Sequence, residues 1–123
     1  MLGGAVMVMA VYRRQRQAAQ AAGQALLQAT ETGDAGQMET LLAQGADINA
    51  RNAHGWTPLH VAASGGDSTV VALLLRHGAD VHAQSHIGTT PLDNAIMRGG
   101  RQAVIDLLLA HGARPDSAWD ASF

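Results

Sequence analysis

The chain has 123 residues, a length suited to one domain. Apolar residues make up 47% and aromatic residues 3%, so any core is built from small aliphatic side chains. Cysteine and lysine are both absent, which excludes disulfides, thiolate catalysis and zinc fingers and leaves arginine as the one permanent cation.

Charge divides the chain. Residues 1–22 carry Arg13, Arg14 and Arg16 and no acid, whereas residues 23–123 carry five arginines and ten acids, a net of −5. That balance argues against nucleic-acid binding by the larger part, which would need a basic face. The lysine-free, Ala- and Gly-rich composition is that expected of a GC-rich bacterial genome.

The first segment, 1–22, opens with an apolar run, Leu2–Tyr12, followed by Arg-Arg-Gln-Arg. Eleven residues are too few to span a bilayer, which takes about 20. A secretory signal would place its charges before the apolar run rather than after it. Three readings fit: the end of a longer membrane helix, a weak interfacial anchor, or an extension of the first helix packed on the larger part of the chain. An anchor would leave the arginines on the cytoplasmic side and give membrane contact through residues 1–16. The localisation expected is cytoplasmic, with membrane association or the periplasm as alternatives.

From residue 51 a pattern begins. Gly55 suits a tight turn, and Thr57 is a good helix N-cap because its hydroxyl can accept an orphan backbone N–H. Pro58 then falls at the first helical position. Gly65-Gly66 breaks that helix, and Val71, Leu74 and Leu75 follow at i, i+3, i+4 as one apolar face of a second. Gly78 ends the second helix in the left-handed conformation that glycine adopts cheaply.

The pattern then repeats. Thr57-Pro58-Leu59-His60 returns 33 residues later as Thr90-Pro91-Leu92-Asp93, Gly55 returns as Gly88, and Gly45-Ala46-Asp47 returns as Gly78-Ala79-Asp80. Pro91 to Gly112 takes 21 steps where Pro58 to Gly78 takes 20, so one residue is inserted between the helices, near Met97–Arg101. Asp93 stands where the second repeat has His60, and bonds locally in its place if the turn is to close. Upstream, Leu26, Ala29, Gly33, Met38, Leu41 and Leu42 match Leu59, Ala62, Gly66, Val71, Leu74 and Leu75. Gln37 and Thr40 replace Val70 and Leu73 there, the polar face that a terminal capping repeat needs. Beyond Pro115, Trp119 and Phe123 are four residues apart; this segment either covers the last helix from one side or is a frayed tail.

A fixed period of 33 carrying Thr-Pro-Leu-His and Gly-Ala-Asp resembles the ankyrin-repeat family over residues 23–116. The resemblance implies an all-α solenoid of helix-turn-helix units joined by hairpin-like loops. It divides the chain into 1–22, a degenerate capping repeat at 23–50, repeats at 51–83 and 84–116, and a tail at 117–123. It also implies a non-catalytic module that binds another protein, either as an adaptor or scaffold or as a dedicated inhibitor or immunity protein for one toxin or enzyme. Partners in that family dock on hairpin tips and on the exposed side of each first helix. Carried across, that surface is Asn52, Ala53, His54, Trp56, Val61 and Ser64 in the second repeat, and Ser85, His86, Ile87, Thr89, Asn94, Met97 and Arg98 in the third.

Other chemistries find little support. His77 and His111 fall at equivalent places, which adjacent repeats would hold about 10 Å apart, too far for one ion with bonds of ~2.1 Å. No metal site and no cofactor are expected. His60 is expected to bond within its turn. His54, His82 and His86 are either solvated loop residues or partner contacts, and Trp56 either packs on the neighbouring hairpin or serves as an aromatic anchor. Asp93 and Asp106 have no partner at acid–base spacing, and Gly65-Gly66 and Gly99-Gly100 lie at helix–helix turns rather than after a strand, so no enzyme is expected.

Overall fold

The computed structural model describes the fold of residues 3–99 and 101–114; within its first helix, the side chains of residues 3–6, 12 and 14–19 are outside the description. Six helices follow one another among the described residues: α1 (Gly3–Thr32), α2 (Ala35–Ala43), α3 (Pro58–Gly65), α4 (Ser68–Arg76), α5 (Pro91–Met97) and α6 (Gln102–Ala110). They pair as α1 with α2, α3 with α4 and α5 with α6. In the inner row α3 lies between α1 and α5, and in the outer row α4 packs on α6. No strand occurs among the described residues.

Each pair is built by the same local chemistry. Thr57 sits extended before α3 and accepts from the His60 amide, while the His60 ring accepts from the Thr57 amide, and Pro58 takes the first helical position. Thr90, Pro91 and Asp93 do the same before α5, where the Asp93 carboxylate accepts from the Thr90 amide at 2.9 Å. The aspartate therefore closes its turn locally in place of the histidine, making the turn bond that its substitution had left open in the sequence. Asp67 caps α4 through the amides of Thr69 and Val70. Gly66 and Gly78 end their helices with φ of 73° and 84°, the left-handed region.

The core runs the length of the stack. Leu26, Met38, Leu59, Leu74, Leu92 and Leu108 are fully buried, one from each of the six helices. Each is worth about 1.5–3 kcal/mol in removed apolar surface. At the first pair, Gln37 and Thr40 are exposed, whereas Val70 and Leu73 in the second pair are buried. At the far end Leu109 remains exposed. The covering expected there from Trp119 and Phe123 lies outside the described residues.

Two residues, Gly66 and Asp67, separate α3 from α4, and four, 98–101, separate α5 from α6. The inserted residue lengthens that turn, and α5 is one residue shorter than α3. The first helix departs most from a bare repeat. It is 30 residues long and continues unbroken through the apolar run. Met7, Val8, Met9 and Val11 are each more than half exposed, so the expectation that this extension packs on the repeats fails for these four side chains.

Candidate functional site

The loops between helix pairs are hairpin-like and lock to one another. In the first, the Asn52 amide donates to the Trp56 carbonyl and the Gly55 amide to the Asn52 carbonyl. In the second, the Ser85 amide donates to the Thr89 carbonyl and the Gly88 amide to the Ser85 carbonyl. The two tips are then joined: the His86 amide donates to the His54 carbonyl at 3.1 Å. Gly55 is buried at this junction with φ of 76°, and a Cβ there would stand 2.8 Å from the His86 amide nitrogen. Arg51 bridges the same loops by donating to the carbonyls of Gly55 and Gln84.

His60 is the second clamp. Its Nδ1 accepts from the Thr57 amide at 3.1 Å, which assigns the proton to Nε2, and Nε2–H donates to the Thr89 carbonyl of the next repeat at 2.8 Å. The residue thus bonds within its own turn, as expected, and also across the repeat boundary. Burial pulls its pKa below the ordinary imidazole value; the Thr89 carbonyl and Asp93 oppose that, and Arg51 reinforces it. The neutral ring is the form the two bonds require.

With the tips fixed, the inner helices and loops enclose an open groove of about 910 Å³. Asn52, Ala53, His54, Trp56, Val61, Ser64, His86, Ile87 and Arg98 all line it. Trp56 is half-buried in its wall, stacked on His60 with ring centroids 6.4 Å apart and tilted to His54 at 6.2 Å. The Arg98 guanidinium carbon lies 5.8 Å from the Trp56 ring centroid. That is cation–π range, and it spans a repeat boundary. The longer turn after α5 supplies this arginine. Trp56 therefore packs on its neighbours and still presents a face to the groove. Ile87 is 82% exposed at its tip, held there without apolar cover.

The remaining sequence-derived candidates fall elsewhere. Asn94 is 4% exposed, in the run Pro91–Ala95 of α5 that is buried throughout, so burial at this level extends round the helix and the transfer from half-exposed Val61 fails. Ser85 is buried, its hydroxyl bonded to that of Thr89 at 2.7 Å. Thr89 is half-exposed but spends its carbonyl on Ser85 and His60. Met97 is exposed, off the groove.

Sequence reasoning missed one end of the groove. Thr30, Glu31, Thr32 and Gly33 from α1 and its turn line it, together with Gly65 and Asp67. The signal was present: Glu31 and Thr32 stand one period of 33 residues before Ser64 and Gly65. The groove thus carries two acids, Glu31 and Asp67, as well as His54, His86 and Arg98 around Trp56.

A search of curated proteins returned no match. The profile described as ankyrin repeats, three copies, matches residues 26–118, most of the chain. Proteins of this kind serve as protein–protein interaction modules, typically without catalysis. The helix pairs stacked in two rows, the Thr-Pro caps, the locked tips and this match agree, and the chain belongs to the ankyrin-repeat family.

Proposed function

We propose that this chain is a non-catalytic adaptor that holds one protein partner in the groove along its inner helices. The observation that carries this is the convergence of Trp56, Ile87, Arg98, His54 and His86 from two repeats on a single open wall. Trp and Arg are the residue types in which binding energy concentrates, and here both are held in place before any partner arrives. Ile87 adds an apolar side chain whose burial would reward contact. The groove carries both signs of charge, Glu31 and Asp67 with Arg98, which favours a partner segment of complementary charge. The arginines that follow the apolar stretch of α1 favour a cytoplasmic position for the repeats.

The test is affinity capture with the full chain and with an Ile87→Asp/Arg98→Glu variant, followed by mass spectrometry and a melting scan of each. A protein retained by the wild-type chain and lost from an equally stable variant supports the groove. Equal retention by both contradicts it. Whether the captured protein keeps its own activity when bound then separates an adaptor from a dedicated inhibitor.

A further inference from the structure

The N-terminal half of α1 is left over by the groove. Residues 7–11 are all exposed, and the large side chains among them, Met7, Val8, Met9 and Val11, are 52–71% exposed. Five consecutive helical positions step round more than a full turn, at about 100° each. The segment is therefore apolar on every side and not along one stripe. A helix apolar all round belongs in a large core or in lipid, whereas a partner helix or protein groove asks for one apolar face and a polar back. The repeats do not supply such a core, since these side chains are exposed.

Length and charge narrow the choice. Gly3 to Val11 is nine residues, about 13 Å of helix. No described helix is long and apolar enough to cross a membrane. Arg13, Arg14 and Arg16 follow at once, within about two turns, and residues 1–22 contain no acid. A second copy laid parallel would bring these arginines against their own kind. Anionic phosphates at the level where the apolar stretch ends would pair with them.

We propose that Gly3–Arg16 is a membrane anchor: the apolar stretch enters the hydrocarbon of an anionic bilayer, and the arginines sit among its phosphates. Arg13 is exposed and free to turn its long stem toward the interface. The acidic repeats, net −5 over 23–123, are held off the same surface by like charge, which keeps the groove facing water. The inference does not depend on what the groove binds.

Sedimentation of the full chain with vesicles tests it. Vesicles of phosphatidylglycerol and phosphatidylcholine in equal parts are expected to carry the protein down, and pure phosphatidylcholine vesicles to bind it about 100-fold more weakly, as three arginines near an anionic surface imply. Arg13→Gln/Arg14→Gln/Arg16→Gln is expected to lose that preference, and Val8→Asp/Met9→Asp to lose binding to both, with each variant melting as the wild type does. Protein that stays in the supernatant with anionic vesicles overturns the proposal. So does equal sedimentation of the arginine variant. A dimer that Val8→Asp/Met9→Asp dissolves, without any vesicle binding by the wild type, would show a second copy to be the occupant instead.

Discussion

Gly55 and Gly78 both have positive φ, 76° and 84°, but they differ in what surrounds them. A Cβ on Gly78 meets nothing within 4 Å, whereas one on Gly55 would stand 2.8 Å from the backbone nitrogen of His86. Substituting alanine at either site costs the left-handed penalty, about 1–2 kcal/mol. The loss of unfolded-state freedom on replacing glycine is the same at both and cancels in the comparison. Gly55→Ala must also push back the next loop and break the His86–His54 bond that joins the repeats. That adds about 1 kcal/mol for the bond and more for displaced packing at the buried junction. The expected losses are about 1–2 kcal/mol for Gly78→Ala and about 3–4 kcal/mol for Gly55→Ala. Urea titrations of the full chain followed by circular dichroism measure both. Equal losses would show that the repeats are not locked tip to tip in the way described.

The other expectations concern the core, pH and the groove. Leu74 is fully buried, so Leu74→Asp puts an unpaired charge into the inter-repeat layer and is expected to abolish cooperative melting, a cost of several kcal/mol. His60 has a lowered pKa in the fold, so the unfolded chain binds the extra proton first. Its contribution to stability is complete above about pH 6.5 and is lost as the pH falls from there toward the depressed folded value. Denaturant titrations at pH 8 and pH 5 are expected to differ by less in His60→Asn than in the wild type, and an identical pH dependence would rule out His60 as the cause. Substituting His54, His86, Ile87 and Arg98 by alanine together is expected to weaken a captured partner by several kcal/mol while each costs the fold about 0.5 kcal/mol or less. Calorimetric titration alongside a melting scan separates the two effects.

The fold was legible because its signals are local. Thr57-Pro58 and Thr90-Pro91 mark helix starts, Gly66 and Gly78 mark helix ends, and the leucines between them show which face is buried. The 33-residue period then says that these units stack. What could not be read locally was contact between units. Gly55 announces a turn in the sequence; that the turn leaves no room for a Cβ beside His86 depends on a residue 31 positions away. His60 announces a cap, and its bond to Thr89 depends on the next repeat.

The site was legible to the extent that equivalence between repeats holds. Nine of the positions carried across from the family line the groove because the second and third repeats present the same tips and turns. Equivalence failed at Asn94, which matches Val61 in register but lies where α5 is buried all round. It was under-used at Glu31 and Thr32, where a degenerate first repeat without the Thr-Pro cap still contributes its turn to the groove. The long first helix shows a different limit. The apolar run and the arginines were plain, but continuity of α1 through them and the exposure of Met7–Val11 required the folded chain.

Hydrogen exchange of the full chain, alone and saturated with the protein it captures, tests the central claim most directly. The groove account predicts slowed exchange at the tips, residues 52–56 and 85–88, and in the turn at 97–99, with α2 and the outer faces of α4 and α6 unchanged. Slowing confined to α4 and α6, or to residues beyond Arg114, with the tips exchanging as fast as in the free chain, would contradict it.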